Sequence, residues 1–150
     1  TLDGANIEIK DAVGDENIFI FGLTADEVEE RLTSGSYHPW ELYRTDSGLA
    51  AVIDAIQSGE FVGADRDAVR GVWSALMEHG DRYMLLADFR DYVETQERAE
   101  EFFKDRRAWA RASILNIAAM GYFSSDRAIL EYAEKIWGLE SVAVRTPDNG

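Results

Sequence analysis

The sequence contains no cysteine and has only two histidines and two prolines among its 150 residues. Without cysteine the chain can form neither a disulfide framework nor a thiolate site, which fits a reducing compartment such as the cytoplasm. A zinc site needs three or four Cys, His or carboxylate ligands. Because His38 and His79 are far apart in the sequence, the composition argues against a metal site, and we expect none.

Basic residues and long apolar runs are also scarce. Lysine and arginine together number 15 against 29 acidic residues, which gives a formal net charge of −14. Such a charge repels phosphate backbones and anionic lipid headgroups. No run approaches the ~18 consecutive apolar residues of a membrane span, and no basic segment followed by an apolar one opens the sequence. We therefore expect a cytoplasmic protein without a nucleic-acid or membrane partner.

Common catalytic motifs are absent as well. Neither G-x-G-x-x-G nor G-x-x-x-x-G-K-[ST] occurs, so no phosphate-binding loop is predicted. Nothing ties a serine to a histidine base, and the 29 acidic residues offer too many carboxylate pairs for spacing to choose among them. The acidic group Asp11, Asp15 and Glu16 lacks the spacing of an EF-hand and is interpreted as a solvated turn. The sequence therefore predicts no catalytic residue.

Apolar residues recurring at helical spacing are the main feature that is present. Hydrophobic residues make up 46% of the chain, which is enough for a folded core. Local signals support several helix starts: a capping box at Thr24 and Glu27, and N-caps at Asp88 and Asp105. The predicted helices cover residues 7–13, 24–32, 39–43, 49–56, 69–76, 89–104, 109–120 and 129–137.

Two short apolar runs are interpreted as strands. They cover residues 18–21 and 83–87 and resemble the strands of a parallel sheet that are buried on both faces. Residues 1–2 would supply part of a third strand. Since so small a sheet leaves unpaired edges, we expect further strands upstream of Thr1. The fold class is therefore α/β, mostly helical and with few strands.

The last two predicted helices need a partner surface. Residues 109–120 are apolar on nearly every side, and residues 129–137 carry a single apolar stripe. Gly121 is expected to end the first helix in a left-handed conformation, and Ser124 or Ser125 to cap the second. Gly138 is expected to end it. Trp109 and Trp137 belong to these two helices, and Trp73 lies on the apolar stripe of residues 69–76, so all three rings are predicted to pack. Trp40 lies off any clear stripe and could instead stack on a sugar.

One polar group lies at a predicted strand-to-helix junction, Asp3-Gly4-Ala5-Asn6. Open α/β sheets bind their ligands at such junctions. Asp3 and Asn6 are therefore candidates for residues that support a binding site from behind the groups that contact the ligand. The alternative is structural, with Gly4 in a tight turn and Asn6 as a helix N-cap.

Long segments of the chain resemble the carboxyl-terminal portion of the α-glucan phosphorylases, the family of glycogen, starch and maltodextrin phosphorylases. The resemblance extends from Thr1 to about Gly138, and residues 139–150 are expected to form a loose tail. Between Gly59 and Ala68 the sequence departs from the family pattern. The matching segments are TLDGANIEI, ENIFIFG, ADFRDYVETQER and WARASILNIAAMGYFSSDRAILEYAEKIWG.

The resemblance implies a two-domain glycosyltransferase fold of the GT-B type, with the active site between two Rossmann-like domains. Residues 1–138 would form the carboxyl-terminal part of the domain that binds pyridoxal phosphate. Such enzymes cleave terminal α-1,4-glucosidic bonds with phosphate and release glucose 1-phosphate. The family's cofactor lysine lies just before the residues that match Thr1, so none of its catalytic or cofactor-contacting residues transfers to this sequence.

The expected role is therefore that of a scaffold, inactive alone and without its own cofactor. Its partner would be the rest of the phosphorylase chain, in particular the amino-terminal domain, with α-glucan and phosphate bound only by the intact enzyme, which could be a homo-oligomer. The alternative function is a self-standing acidic helical interaction module.

Overall fold

The computed structural model describes residues 4–60 and 66–140, and in this part the chain is α-helical. A short 3₁₀ segment, Asp15–Asn17, follows the first helix, and another, Met120–Phe123, separates the last two. After the final α-helix the chain continues as a π-helical turn, Tyr132–Trp137. The helices are α1 (Ala5–Val13), α2 (Ala25–Ser34), α3 (Pro39–Thr45), α4 (Ser47–Ser58), α5 (Arg66–Met77), α6 (Leu85–Lys104), α7 (Arg106–Ala119) and α8 (Ser125–Glu131).

Most predicted helix ends are confirmed because their signals are local. The Glu27 N–H donates to the Thr24 hydroxyl at 3.3 Å, and the Thr24 N–H donates to the Glu27 carboxylate at 2.8 Å, which completes the capping box. Asp105 caps α7 by accepting the N–H groups of Arg107 and Ala108 at 3.1 and 3.0 Å. Gly59 and Gly138 end their helices in the left-handed conformation.

The predicted strand over residues 83–87 is wrong, because a helix begins inside it. Met84 adopts a left-handed conformation (φ 54°), and α6 starts at the next residue. The N–H of Leu86 donates to the Asp81 carboxylate at 2.8 Å, so the start of α6 is stabilised from upstream. Asp88, the predicted N-cap, instead lies within the first turn of α6.

The predicted strand over residues 18–21 is also wrong. Ile18 has an extended backbone, but no strand forms in the part of the chain that the structure describes. Side chains of α6 and α7 take the place of a neighbouring strand. The Asn116 amide donates to the Asn17 carbonyl at 2.7 Å, and the N–H groups of Gly22 and Leu23 donate to carboxylates of α6.

Three smaller predictions also differ from the structure. Helix α1 begins at Ala5 after Gly4 (φ 52°), so Asn6 lies inside the helix and does not cap it. Gly121 is not left-handed, since a 3₁₀ segment makes the break instead. Ser124 occupies the N-cap position of α8, but its side chain forms no capping hydrogen bond. The predictions for residues 1–3 and 141–150 and for the departing segment 61–65 lie outside the described residues.

The core lies where α4, the end of α5 and the start of α6 meet. Helices α4 and α5 pack against each other, while α3 contacts both of them and α6. Half-buried side chains surround the core, and Trp73 is one of them, which confirms the predicted packing of its ring. The buried core residues are Leu49, Ile53, Met77 and Leu86.

Candidate functional site

Helices α7 and α8 and the turn that follows them present apolar side chains to solvent. Ile117 is 76% exposed and Trp137 is 59% exposed, although both belong to predicted apolar stripes. Soluble monomers rarely expose large contiguous apolar areas unless a partner covers them. We call this set the terminal surface; its exposed members are Ile114, Ile117, Ile129, Leu130, Ile136 and Trp137.

Packing within the chain is confirmed for Trp109, whereas Trp137 is exposed in this chain and its packing against a partner surface stays a prediction. The Trp109 ring is half-buried and stacks on Phe19 with the ring centroids 6.3 Å apart, and Phe102 and Phe103 also contact it. The Trp137 ring meets only Tyr132 among the described aromatic rings, at 6.0 Å. Its stripe remains open because no described element lies over it.

Beside Trp109 runs an apolar groove of about 480 Å³. Residues 17–19 form one wall and α7 the other, and Phe102 of α6 also lines the groove. The Asn116 amide spans the groove wall by donating to the carbonyls of both Asn17 and Ala112. The hydrogen bonds of Asn116 thus hold residues 17–19 against α7.

Buried carboxylates hold the start of α6. Asp81 is 2% exposed and accepts hydrogen bonds from the Tyr37 hydroxyl at 2.5 Å and from the Leu86 N–H. Burial, followed by the hydrogen bond to Asp81, raises the pKa of Tyr37 far above its ordinary value. Tyr37 therefore stays protonated and donates. Asp88 is likewise buried and accepts the Leu23 N–H at 2.8 Å.

Of the two sequence-predicted site residues, Asp3 and Asn6, only Asn6 belongs to the described part of the chain. Asn6 lies on the exposed first turn of α1, and Asp3 lies outside the described residues. Across residues 4–60 and 66–140, no group of three or more His, Asp or Glu side chains is placed to hold a metal ion. No helix in the same residues is long and apolar enough to cross a membrane.

One polar link that sequence reasoning missed joins α4 to α6. Asp46 caps α4 by accepting the N–H groups of Gly48 and Leu49 at 2.9 Å, and Arg90 of α6 donates two hydrogen bonds to the same carboxylate. The contact with Arg90, together with the Leu49 N–H, lowers the pKa of Asp46 below its ordinary value. The Asp-Ser-Gly start of α4 is an N-cap signal, but nothing in the sequence pairs it with Arg90.

Comparison with known proteins identifies the family. The family model of the carbohydrate phosphorylases matches residues 1–139. The chain belongs to the carbohydrate phosphorylase family. This confirms the resemblance that the matching segments indicate.

Individual relatives in the phosphorylase family align with nearly the whole chain. Glycogen phosphorylase of Synechocystis sp. is 49% identical over 148 residues, which is 99% of this chain. The Haemophilus influenzae glycogen phosphorylase is 47% identical over 142 residues, or 95% of this chain. The muscle form from Ovis aries is 42% identical over 147 residues, or 98%. In each case the chain spans 17% of the length of the relative.

Proposed function

We propose that this chain is the carboxyl-terminal part of the cofactor domain of an α-glucan phosphorylase and that it acts there as scaffold. The observation that carries the proposal is the 49% identity over 99% of this chain to a protein of which it spans only 17%. The whole enzyme would have the two-domain GT-B fold. It would cleave terminal α-1,4 bonds of a glucan with phosphate, release glucose 1-phosphate and work in the cytoplasm.

The residues of this chain do not fit the cofactor's attachment point. Pyridoxal phosphate is held in this family through a lysine, and each lysine of the chain is paired with a carboxylate on the surface of the molecule. Lys10 lies 3.5 Å from Asp15, and Lys104 and Lys135 pair with Glu101 and Glu131. We therefore assign no chemical step to this chain, and the cofactor lysine is expected on the rest of the enzyme.

The terminal surface supports the proposed partner, the amino-terminal domain of the same enzyme. Ile114, Ile117 and Ile136 are each more than half exposed, and burying apolar surface is the main favourable term in most protein association. The buried core of the chain holds α4, α5 and α6 together, while α7 and α8 offer the face that the partner covers.

Complementation tests this proposal. A glycogen phosphorylase from which the segment matching residues 1–138 has been deleted is co-expressed with this chain, and glucose 1-phosphate release from glycogen is measured. We expect activity only when both pieces are present, with none from this chain alone and no imine absorbance when it is titrated with pyridoxal phosphate.

Matched variants locate the contact between the two pieces. Ile117→Asp places a charge on the terminal surface and should abolish complementation, whereas Gln96→Asp on the exposed face of α6 should not. Glucose 1-phosphate release by this chain alone would refute the scaffold role. Complementation that survives Ile117→Asp would refute the docking surface.

A second function, the self-standing acidic helical interaction module, is favoured by one observation. The buried core of Leu49, Ile53, Met77 and Leu86 is built entirely from this chain. A module of this kind would elute as a monomer, unfold cooperatively and not bind the dye ANS. The scaffold role predicts self-association and ANS binding instead, so size-exclusion chromatography and dye fluorescence separate the two functions.

A further inference from the structure

A groove lies between the carboxyl-terminal end of α4 and the face of α5. Its volume is about 520 Å³, within the roughly 300–1,000 Å³ of small-molecule pockets. Its lining mixes polar and apolar side chains, unlike the groove beside Trp109. The residues that line it are Gln57, Ser58, Gly59, Val69, Arg70, Trp73 and Glu78.

One aromatic ring, that of Trp73, lines this α4–α5 groove, and the ring of Trp40 contacts it from outside the lining. Trp73 is half-buried and packs against the core, so its ring is held in place. The ring of Trp40 lies edge-on to it, with the centroids 6.5 Å apart and an interplanar angle of 76°. Trp40 is 42% exposed and is positioned by a second edge-on contact with Tyr43 at 5.6 Å. An indole fixed in this way offers an apolar face beside polar groups.

Two planar polar groups in the groove, the Gln57 amide and the Arg70 guanidinium, have no partner among residues 4–60 and 66–140. Among the described residues, the side chains of Gln57 and Arg70 form no hydrogen bond or ion pair, whereas the Ser58 hydroxyl donates to the Ala55 carbonyl and the Glu78 carboxylate accepts from Ser74. The amide of Gln57 can both donate and accept, and the guanidinium of Arg70 donates in a fixed fork. The groove therefore presents paired hydrogen-bonding groups next to an aromatic face.

The charges of the groove and of the whole chain argue against an anionic ligand. Arg70 and Glu78 offset each other within the groove, and the chain carries a formal net charge of −14. An anionic ligand would be repelled by the chain as a whole. A purely apolar ligand would leave Gln57 and Arg70 desolvated without partners. A neutral ligand with many hydroxyl groups and apolar ring faces meets both conditions.

We infer that the α4–α5 groove binds a neutral oligosaccharide of α-linked glucose. The hydroxyl groups would hydrogen-bond to Gln57 and Arg70, and a sugar face would pack on the indole of Trp73. The preference for a neutral sugar comes from the lining of the groove. The choice of α-linked glucose rests on the proposed function.

Titration of this chain with maltoheptaose, followed by tryptophan fluorescence and calorimetry, tests the inference. We expect saturable binding that inorganic phosphate does not displace and that a β-linked cello-oligosaccharide does not reproduce. Arg70→Ala and Gln57→Ala should each weaken binding about fivefold, the effect of one lost hydrogen bond. Trp40→Ala removes the ring that helps to position Trp73 and should weaken binding by a smaller factor.

Matched controls carry the same chemical change away from the groove. Arg107→Ala and Gln96→Ala alter exposed side chains on α7 and α6 and should leave affinity within about twofold. Absence of saturable binding up to about 10 mM, equal binding of the β-linked sugar, or an equal loss in the control variants would overturn the inference. Because binding is measured without phosphorolysis, complementation without sugar binding refutes the groove alone. Sugar binding without complementation refutes only the scaffold proposal.

Discussion

The helical unit α3–α6 and the terminal helices α7 and α8 both carry apolar stripes, but the first unit buries more of its own, although Val52 and Val72 remain exposed there. The contrast is clearest for one residue type. Ile53 of α4 is 2% exposed, whereas Ile117 of α7 is 76% exposed. A stripe at helical spacing thus predicts that a helix face will be buried, and it does not say whether the covering residues belong to the same chain.

The α3–α6 unit and helix α8 also differ in how polar groups support them. In the α3–α6 unit, Asp81 and Asp46 connect residues distant in sequence through Tyr37 and Arg90. In α8 the ion pairs of Glu131 reach only to Arg127 and Lys135, one turn away. The first unit therefore has tertiary polar contacts of its own, while α8 has local ones. This is the pattern expected if α8 receives its tertiary contacts from a partner.

The largest expected effect is a difference in unfolding free energy between two matched substitutions, one in each unit. Ile53→Ala removes buried methyl groups and should lower the free energy of unfolding by about 2–5 kcal/mol. Ile117→Ala makes the same change on the terminal surface and should lower it by less than about 0.5 kcal/mol. Urea unfolding followed by circular dichroism measures both. Equal losses would mean that α7 is covered in solution and would break the comparison.

The next effect tests the buried carboxylate at the start of α6. Tyr37→Phe removes the hydroxyl that donates to Asp81, a residue that is 2% exposed, and should cost about 1–3 kcal/mol of unfolding free energy. Tyr43→Phe is the matched control, because its hydroxyl donates to Asp54 in an exposed hydrogen bond. We expect the control to lose clearly less stability. The opposite order would show that Asp81 has another partner in solution.

A smaller loss of stability is expected from removing the N-cap side chains of α7 and α8. Asp105→Ala removes the side chain that caps α7 and should cost about 1 kcal/mol. Ser124→Ala removes a serine in the same position of α8 whose side chain makes no capping bond, so a smaller loss is expected. Thermal unfolding of the two variants at one pH gives the comparison. A larger loss for Ser124→Ala would mean that its hydroxyl caps α8 in solution.

Sequence reasoning succeeded where a structural signal lies within a few residues. Thr24 with Glu27, and Asp105 with the residues that follow it, identify their helix starts because each cap is a local hydrogen bond. It failed at residues 83–87, because a short apolar run does not distinguish a buried strand from the first turn of a buried helix. Met84 adds to this difficulty, since left-handed conformations are uncommon for residues other than glycine.

The candidate site was harder to predict than the fold. Asn6 belongs to a junction pattern that would need a sheet beside it, and the structure places it on an exposed helical turn. The α4–α5 groove combines Gln57 with Arg70 and Trp73, residues that come together only through the packing of two helices. No spacing in the sequence shows that contact. Trp73 packs against the core as its stripe predicts, but the spacing does not show that its ring also lines a groove.

The smallest expected effect is a pH dependence that compares one ion pair in each unit. Arg90 lowers the pKa of Asp46, and Arg127 lowers the pKa of Glu131. A carboxyl whose pKa is lower in the folded state stabilises the protein above its ordinary pKa, and that contribution is lost as pH falls through the folded value. Stability should therefore decrease below about pH 4, where carboxyl groups become protonated.

Asp46→Asn and Glu131→Gln determine which unit carries this dependence. Asp46 joins two helices of the core unit and accepts two backbone N–H groups, so Asp46→Asn should flatten the acid limb of a stability–pH curve measurably. Glu131→Gln removes a pair confined to α8 and its continuation, which solvent screens, so it should change the limb less. Urea midpoints between pH 3 and pH 7 measure both. If Glu131→Gln flattened the curve more than Asp46→Asn, α8 would have to be folded against the rest of this chain in solution, and the terminal surface would not be free for a partner.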